Sequence, residues 1–216
     1  MCGLSDSLFF NSKNFNENIS REMINKLIHR GPDNLGEWSN KSDGIVFNHT
    51  RLSIIDLSNL GNQPMISKSK RWIMIFNGEI YNYKKIKTSV LQSKGIMLEG
   101  NSDSEVLINC LDILGINKTL EIIDGMFAIA IWDVLNKDLY LIRDRAGEKP
   151  LYYFKDHKAF FFASELKSLI TINNIEKKIS NEALSLYFKI GFIPSNLCIY
   201  ENLPLNFLYQ LFLNFF

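Results

Sequence analysis

Residues 125–133 read GMFAIAIWD, a run that is small and apolar on both faces. A stretch without a polar face is typical of a strand buried at the centre of a sheet. Four further strand-like runs lie around it: Trp72–Phe76, Leu139–Arg143, Leu151–Phe154 and Ala159–Ala163. Because short turns separate the later strands and the helical patterns form separate groups, the sequence predicts an α+β fold with antiparallel sheets.

The part of the chain before this central strand adds further strands and helices. Three runs have the length and apolar content of strands: Leu4–Phe10, Ile45–Phe47 and Leu52–Ile55. Arg51 stands at the start of the third run. One helix is predicted to be capped by Ser20 and to end before Gly31, and another to be capped by Ser102 or Asp103. Helices and strands are therefore expected throughout the first half of the chain.

The composition is that of a globular protein without an obvious electrostatic partner. The chain has 216 residues, a net charge of +1 and no basic run, which argues against binding to nucleic acid or to an anionic membrane. Cys2, Cys110 and Cys198 are odd in number and widely spaced, so neither a disulfide framework nor a cysteine metal site is predicted. No secretory leader and no apolar run of spanning length are visible. We expect a cytoplasmic protein without a metal, and homo-oligomers remain open.

Met1-Cys2-Gly3 places a thiol at the second coded position. If Met1 is removed, Cys2 carries a thiol and a free α-amine on one residue. An α-amine with a pKa of about 7.7–8.0 is partly neutral at pH 7 and can accept the thiol proton. The thiolate is the nucleophilic form. Taken alone, the motif also allows an inert N-terminal cysteine.

Asn77-Gly78-Glu79 follows the apolar run of Trp72–Phe76. An Asn-Gly pair after a strand is first of all a turn signal. Its chemical alternative is an oxyanion site made of the Asn amide and the Gly backbone N–H. Arg30 and Asp33 allow a similarly local interpretation, a turn held by a charge pair.

Nine motifs occur in a fixed order along the chain. They are Met1–Gly3, His29–Asp33, Arg51–Asp56, Asn77–Asn82, Ser102–Asp103, Asp124–Ala128, Arg143–Arg145, Lys149–Tyr153 and Ala163–Glu165. Together they resemble the glutaminase domain of glutamine-hydrolysing asparagine synthetases, a class II glutamine amidotransferase, over roughly residues 2–204. The resemblance implies an N-terminal-nucleophile (Ntn) hydrolase fold, a four-layer αββα sandwich with two antiparallel sheets. Related amidotransferases resemble Arg-Trp-Ala-Thr-His-Gly at the position of Arg51–Asp56, so this motif points to the asparagine-synthetase lineage.

The resemblance also implies catalytic roles. Cys2 would attack the side-chain amide of L-glutamine and form a γ-glutamyl thioester, with its own α-amine as the proton shuttle. Asn77 and Gly78 would hold the tetrahedral oxyanion. Water would then hydrolyse the thioester, so that the products are L-glutamate and ammonia.

Substrate-binding roles are implied as well. Arg51 would bind the α-carboxylate of glutamine, since a guanidinium pairs bidentately with a carboxylate. Asp103 and Glu79 would hold its α-amine. The pocket would be lined by Leu52, Ser53, Ile54 and Ile55, together with Asn77 and Gly78. Opposite charges at the two ends of the pocket would select a free amino acid.

The resemblance divides the chain into three parts. Residues 2–180 would form the glutaminase domain and residues 181–204 a linker towards a synthetase domain. Residues 205–216 read LNFLYQLFLNFF, an uncharged apolar tail that departs from the family. We interpret this tail as the end of a truncated or frame-shifted reading frame, and a C-terminal anchor is the alternative.

The synthetase half is missing from this sequence. The Ser-Gly-Gly-x-Asp-Ser loop that binds pyrophosphate in asparagine synthetases does not occur. ATP and Mg²⁺ are therefore implied only for the missing domain, which would have to be a separate polypeptide. We expect this chain to catalyse only glutamine hydrolysis, with the ammonia meant for ATP-dependent amidation of aspartate in asparagine biosynthesis.

Three alternatives stay open at the level of the sequence. The chain resembles equally well the glutaminase half of enzymes that amidate another carboxylate in surface-polysaccharide pathways. A truncated remnant could keep the fold without turnover. An Ntn amidohydrolase acting on another amide is the third.

Overall fold

Two antiparallel sheets form the centre of the computed structural model, which describes residues 1–173, 175–194, 197–201 and 203 and the backbone of residues 210–214. The strands are β1 (Gly3–Phe9), β2 (Asn34–Asn40), β3 (Ile45–Arg51), β4 (Met65–Ile66), β5 (Trp72–Ile80), β6 (Gly125–Asp133), β7 (Asp138–Arg143), β8 (Tyr152–Lys155), β9 (Ala159–Ala163) and β10 (Gln210–Asn214). Sheet A has the order β2-β3-β1-β9-β8, and sheet B has the order β10-β7-β6-β5-β4. The predicted central strand is β6, the third of five in sheet B.

The helices lie in two groups. They are α1 (Glu17–Asn25), α2 (Tyr83–Ile86), α3 (Asp103–Ile122), α4 (Leu166–Leu169) and α5 (Asn181–Ile190). A π-helical turn, Lys87–Leu91, continues α2. Gly115 interrupts α3 with non-helical angles, φ 76° and ψ 175°, a conformation that glycine adopts without a steric penalty. None of the helices in the described ranges is long and apolar enough to cross a membrane.

Three apolar clusters separate four layers. The cluster between the sheets joins Leu4, Phe47 and Phe162 of sheet A to Ile75, Ala130 and Trp132 of sheet B. A second cluster packs α2 and α3 on the outer face of sheet B, and a third packs α1 and α4 on the outer face of sheet A. Each sheet is therefore apolar on both faces, and the αββα sandwich of the Ntn hydrolases is confirmed.

Two sequence predictions for the first part of the chain were wrong: the cap of α1 and a strand at Leu52–Ile55. Asn16, not Ser20, caps α1, and its side chain accepts a hydrogen bond from the Asn18 N–H. Ser20 is buried inside the helix, with its hydroxyl 2.6 Å from that of Ser7. Leu52–Ile55 is not a strand, and Arg51 ends β3 rather than starting another strand. The pairing with β1 stops at Thr50, so the chain leaves the sheet there.

The C-terminal part returns to the sandwich. Ser180 caps α5 and Gly191 ends it in a left-handed conformation, φ 80°. Cys198 and Leu203 join the apolar cluster beneath sheet A. Within the predicted tail, the backbone of Gln210–Asn214 pairs antiparallel with β7. Residues 204–209, 215 and 216 lie outside the described residues.

Candidate active site

One cavity of about 160 Å³ opens between the ends of β1, β3 and β5. Its lining includes these residues that the sequence singled out: Cys2, Arg51, Leu52, Ile54, Ile55, Asn77, Gly78, Glu79 and Asp103. Ser53 is not part of this lining, because the chain turns there and the Ser53 N–H binds the Asp33 carboxylate at 2.7 Å. Eight of the nine candidate substrate-binding residues, and Cys2, therefore meet around one space.

Cys2 lies immediately before β1, and its thiol is half buried at the cavity wall. The Leu52 N–H donates to Sγ at 3.4 Å, and Sγ lies 3.7 Å from the Leu52 carbonyl oxygen. Burial raises the pKa of this thiol above its ordinary value, although the Leu52 N–H, the chain terminus and Arg51 act in the opposite direction. A raised pKa leaves little thiolate at neutral pH, so a nucleophilic Cys2 needs a base beside it.

The edge of β5 that faces away from β6 forms another wall of the cavity. The Phe76 N–H donates to Gln63 Oε1 at 2.6 Å, His49 Nε2 lies 3.2 Å from the Phe76 carbonyl oxygen, and the Ile80 N–H donates to Asp103 Oδ2 at 3.0 Å. Backbone groups of alternate residues point the same way along a strand. The Gly78 N–H therefore points away from β6 and towards the cavity. It lies between Phe76, which contacts Gln63 and His49, and Ile80, which contacts Asp103.

The pairing of β6 supports this orientation. Phe127 stands opposite Gly78. On its other side, the Phe127 carbonyl accepts from the Asp144 N–H at 2.8 Å and the Phe127 N–H donates to the Asp144 carboxylate at 3.2 Å. Gly78 and Phe127 are thus a non-hydrogen-bonded pair, the closer of the two kinds of antiparallel pair. A Cβ on Gly78 would lie 2.7 Å from the Phe127 Cα and would overlap the Met126 carbonyl oxygen. Contact with β6, as well as access for a substrate, requires glycine at this position.

Asn77 lies beside Gly78 in the strand, and the turn that the Asn-Gly pair suggested does not form. Its side chain is only 1% exposed, and Nδ2 is a buried donor without a hydrogen-bond partner among the described residues. An unpaired buried amide is costly, because the group has lost its water without gaining another acceptor. The cavity therefore presents two donors, Asn77 Nδ2 and the Gly78 N–H, that a ligand oxygen could satisfy.

Arg51 is fixed by the loop that follows it. Nη1 donates to the Ser58 carbonyl at 2.6 Å and to Asn62 Oδ1 at 2.7 Å, and Nη2 donates to the Asp56 carbonyl. Three of its five N–H donors are thus used. Gly61 lies against the guanidinium, and a Cβ there would be 2.8 Å from Cζ and would overlap Nη2. The remaining Nε–H and Nη2–H are left for a ligand.

Asp103 and Glu79 supply negative charge on the other side of the cavity. Asp103 is the first residue of α3, capped by Ser102, and its carboxylate accepts from the Ile80 and Ser104 N–H groups. Burial raises the pKa of Asp103, and the nearby Glu79 carboxylate raises it further. A bound cation would relieve both effects.

A salt bridge from Arg30 holds the first residues of the chain in place. Arg30 Nε donates to the Cys2 carbonyl at 2.8 Å, and Nη1 binds Glu165 Oε1 at 2.7 Å. The alternative that the sequence left open, a local charge pair between Arg30 and Asp33, is not among the ion pairs of the described residues; Arg30 pairs with Glu165, and the Asp33 carboxylate accepts from the Ser53 N–H. Arg30 thus connects the candidate nucleophile to the start of α4.

We predict that Glu165→Gln lowers the free energy of unfolding at pH 7 by about 1–3 kcal/mol, because the buried Arg30 loses its counter-charge. Burial alone would raise the pKa of Glu165, but hydrogen bonds from Arg30, Lys167 and His29 lower it from 4.5 to about 2. This stabilisation is complete above pH 4.5 and is lost as the pH falls towards 2. Urea unfolding at pH 7 and pH 3 measures the difference between the two proteins, which should shrink at pH 3.

Glu201→Gln is the matched control, because Glu201 and Lys178 form an exposed pair at 2.7 Å. Loss of such a pair costs about 0–1 kcal/mol. Equal losses in the two variants would contradict a special role for the Arg30–Glu165 pair.

Comparison with known proteins identifies the family. A family model described as a glutamine amidotransferase domain matches residues 1–206. The chain belongs to this family. Glutamine amidotransferases among the solved structures share its fold: the glutamine phosphoribosylpyrophosphate amidotransferase from B. subtilis superposes with a TM-score of 0.65 at 18% identity, covering 78% of this chain and 43% of that one.

Curated relatives of this amidotransferase domain carry the name of one enzyme. The chain is 37% identical to a Methanocaldococcus jannaschii protein provisionally named glutamine-hydrolysing asparagine synthetase 2, over 94% of this chain and 42% of the relative. It is 38% identical to asparagine synthetase 1 of Bacillus subtilis, over 82% of this chain and 27% of that protein. The chain therefore spans less than half the length of these relatives, and the match is to one domain of a glutamine-hydrolysing enzyme family.

Sequence reasoning missed three residues that shape this amidotransferase site. Gln63 and His49 hold the backbone of β5 at Phe76, and Gly61 leaves room for the Arg51 guanidinium. Burial lowers the pKa of His49 to about 4, with Arg51 adding to the effect, so the ring is neutral at pH 7. Gln63 and Gly61 lie in Gly61-Asn62-Gln63-Pro64, which has the composition of a turn. Nothing in that composition indicates contact with a distant strand.

Proposed function

We propose that this chain hydrolyses L-glutamine to L-glutamate and ammonia with Cys2 as the nucleophile. The observation that carries the proposal is the meeting in one cavity of a thiol, the unpaired Asn77 Nδ2 and Gly78, whose N–H points away from β6. A thiol opposite an oxyanion site is the arrangement that acyl transfer requires.

The reaction begins once Met1 has been removed. The Cys2 α-amine takes the thiol proton, and Sγ attacks the side-chain amide carbon of glutamine. Asn77 and Gly78 stabilise the oxyanion that forms. The α-amine returns the proton to the leaving nitrogen, ammonia departs, and a γ-glutamyl thioester remains. Water then attacks the thioester, giving its proton to the α-amine, and glutamate leaves as the thiol is restored.

Charges at the cavity wall support selection of a free amino acid. The two remaining donors of Arg51 bind the α-carboxylate of the substrate. Asp103 and Glu79 face its α-ammonium group, which relieves the repulsion between the two carboxylates. The apolar side chains of Leu52, Ile54 and Ile55 complete the lining. A peptide, which lacks both charged ends at an internal residue, is not expected to bind.

We predict that Gly61→Ala raises the KM for L-glutamine by about tenfold, because the new methyl group displaces Arg51 and weakens a bidentate pair. The effect on kcat should be smaller, since Gly61 does not approach the thiol. Initial-rate kinetics of glutamate release measure both constants.

Gly95→Ala is the matched control, because a Cβ at Gly95 would meet open space at a position with φ 73°. That change strains a distant turn and should leave KM unaltered. An unchanged KM in Gly61→Ala would contradict the role given to Arg51.

In this proposal, the ammonia is used to form an amide at a second active site. The relatives' names point to ATP-dependent amidation of aspartate, which would take place on a synthetase domain. ATP and Mg²⁺ are assigned to that domain. Among the residues that the structure describes, no group of three or more His, Cys, Asp or Glu side chains could hold a metal ion. A reducing cytosol keeps Cys2 a free thiol.

The test uses the purified 216-residue chain, with intact mass as the measure of Met1 removal. Incubation with L-glutamine should release equal amounts of glutamate and ammonia. With aspartate, ATP and Mg²⁺ also present, asparagine should not form until a synthetase-domain protein is added. A processed chain that releases no glutamate would overturn the proposal.

A further inference from the structure

Lys149 is a buried cation at the wall of the candidate active site. The residue is only 7% exposed and lines the same cavity as Cys2. Its ammonium lies 3.6 Å from Met1 Sδ. None of the ion pairs recorded within the described ranges includes Lys149. Removal of Met1 therefore takes away this contact and leaves the ammonium on the wall of the cavity that Cys2 also lines.

Arg30 also contacts the Met1 side chain but, unlike Lys149, has a carboxylate partner. Its Nη2 lies 3.9 Å from Met1 Sδ. The Arg30 charge is compensated by Glu165 at 2.7 Å. Of the two cations that contact Met1, Lys149 is the one without a carboxylate partner in the described part of the chain.

We propose that Lys149 is a positioning residue that acts through the Cys2 α-amine, keeping it in the neutral form that can accept the thiol proton. The inference rests on the proposed function, in which this amine is the base. A positive charge beside an amine disfavours its protonated form. Lys149 is 7% exposed, and salt screens such a buried charge less than an exposed one.

The other charged groups around the chain terminus do not cancel this effect. Arg51 adds positive charge from β3. Asp103 faces the cavity from α3, where its carboxylate already accepts from the Ile80 and Ser104 N–H groups, and the Glu79 side chain is exposed. The carboxylate of Asp144 accepts the Lys149 backbone N–H at 3.0 Å and that of Glu148 at 2.8 Å. These bonds engage the backbone of the loop rather than the ammonium.

The test measures the proton affinity of the α-amine without any turnover. In a Cys2→Ser background, which keeps the amine and removes the thiol, mass spectrometry follows acetylation of the N-terminus across a pH series. Lys149→Met should raise the midpoint of the reaction by about one pH unit. Lys149→Arg should restore it, and Lys118→Met, at an exposed site on α3, should leave it unchanged.

Kinetics with the Cys2 protein give a second measurement. The acid limb of kcat/KM for glutamine should move to higher pH by the same amount in Lys149→Met. Lys149→Gln serves if the methionine variant does not fold. An unmoved amine midpoint in a folded variant overturns the inference, and so does a rise in KM alone, which would place Lys149 on the substrate carboxylate. A shifted midpoint in a chain that releases no glutamate would support the role of Lys149 and refute the proposed function.

Discussion

Cys2→Ala is expected to lower glutamate release from L-glutamine by about 10⁴-fold or more, because removal of a nucleophile eliminates the covalent route. The oxyanion donors and the substrate contacts remain, but no thioester can form. Alanine is small enough for Met1 removal to continue, so the variant differs from the wild type only at the thiol. Glutamate release measured with a coupled assay gives the ratio of rates.

The thiol of Cys198 provides the matched control, because it is buried beneath sheet A and does not line the cavity. Cys198→Ala should keep wild-type kcat even if its thermal stability falls. Equal activity of the wild type and Cys2→Ala would falsify nucleophilic catalysis by Cys2.

Retention of Met1 should have a similar effect with the thiol intact. In such a chain the nitrogen of Cys2 is part of a peptide bond and cannot accept a proton. No α-amine is then available to take the proton of a thiol whose pKa is raised by burial. A preparation that is partly processed should therefore show activity in proportion to the fraction that lacks Met1 by intact mass.

Asn77→Ala is expected to lower kcat by about 10²–10³, the usual effect of removing one oxyanion donor. KM should change much less, since the charge on the oxygen develops only in the transition state. The free energy of unfolding should not fall by the amount typical of a lost hydrogen bond, because Nδ2 has no partner among the described residues. Steady-state kinetics and urea unfolding test the two statements separately.

Asn109→Ala should show the opposite pattern. Asn109 is a buried amide on α3, and its Nδ2 already donates to the Glu105 carbonyl at 2.8 Å. Its loss should lower stability by about 1 kcal/mol and leave kcat unchanged. If Asn77→Ala behaved like Asn109→Ala, Asn77 would be a structural residue.

The sequence predicted the fold where hydrophobic pattern decides it. The stretch GMFAIAIWD is the central strand of sheet B because both of its faces are covered. In contrast, β2 was missed, since Asn34–Asn40 is polar and partly exposed and forms an edge strand that apolar content does not reveal. The end of β3 at Arg51 depends on where β1 begins, and a single stretch of sequence does not contain that information.

The candidate site was predicted from motifs whose members the fold then brings together. Asn77 and Gly78 could equally have formed a turn, and Asp103 a helix cap. Their meeting in one cavity depends on the register between strands. Phe127 stands opposite Gly78 but hydrogen-bonds to Asp144 instead, so the Gly78 N–H is directed towards the cavity. The contact of Gln63 with β5 and the place of Lys149 in the cavity wall could not be predicted, since both depend on parts of the chain that are distant in sequence.

The outward edge of β5 has a consequence for what the site will exclude. A free strand edge invites another extended chain to add to the sheet, which is a route both to peptide binding and to aggregation. Here the backbone of Phe76 is occupied by Gln63 and His49, and the N–H of Ile80 by Asp103. Among the described residues, Gly78 is left between these contacts with its backbone open to the cavity. One residue is too short a segment of edge to pair with a peptide strand. The side chains that prepare the edge for a small substrate also protect the sheet from pairing with other chains.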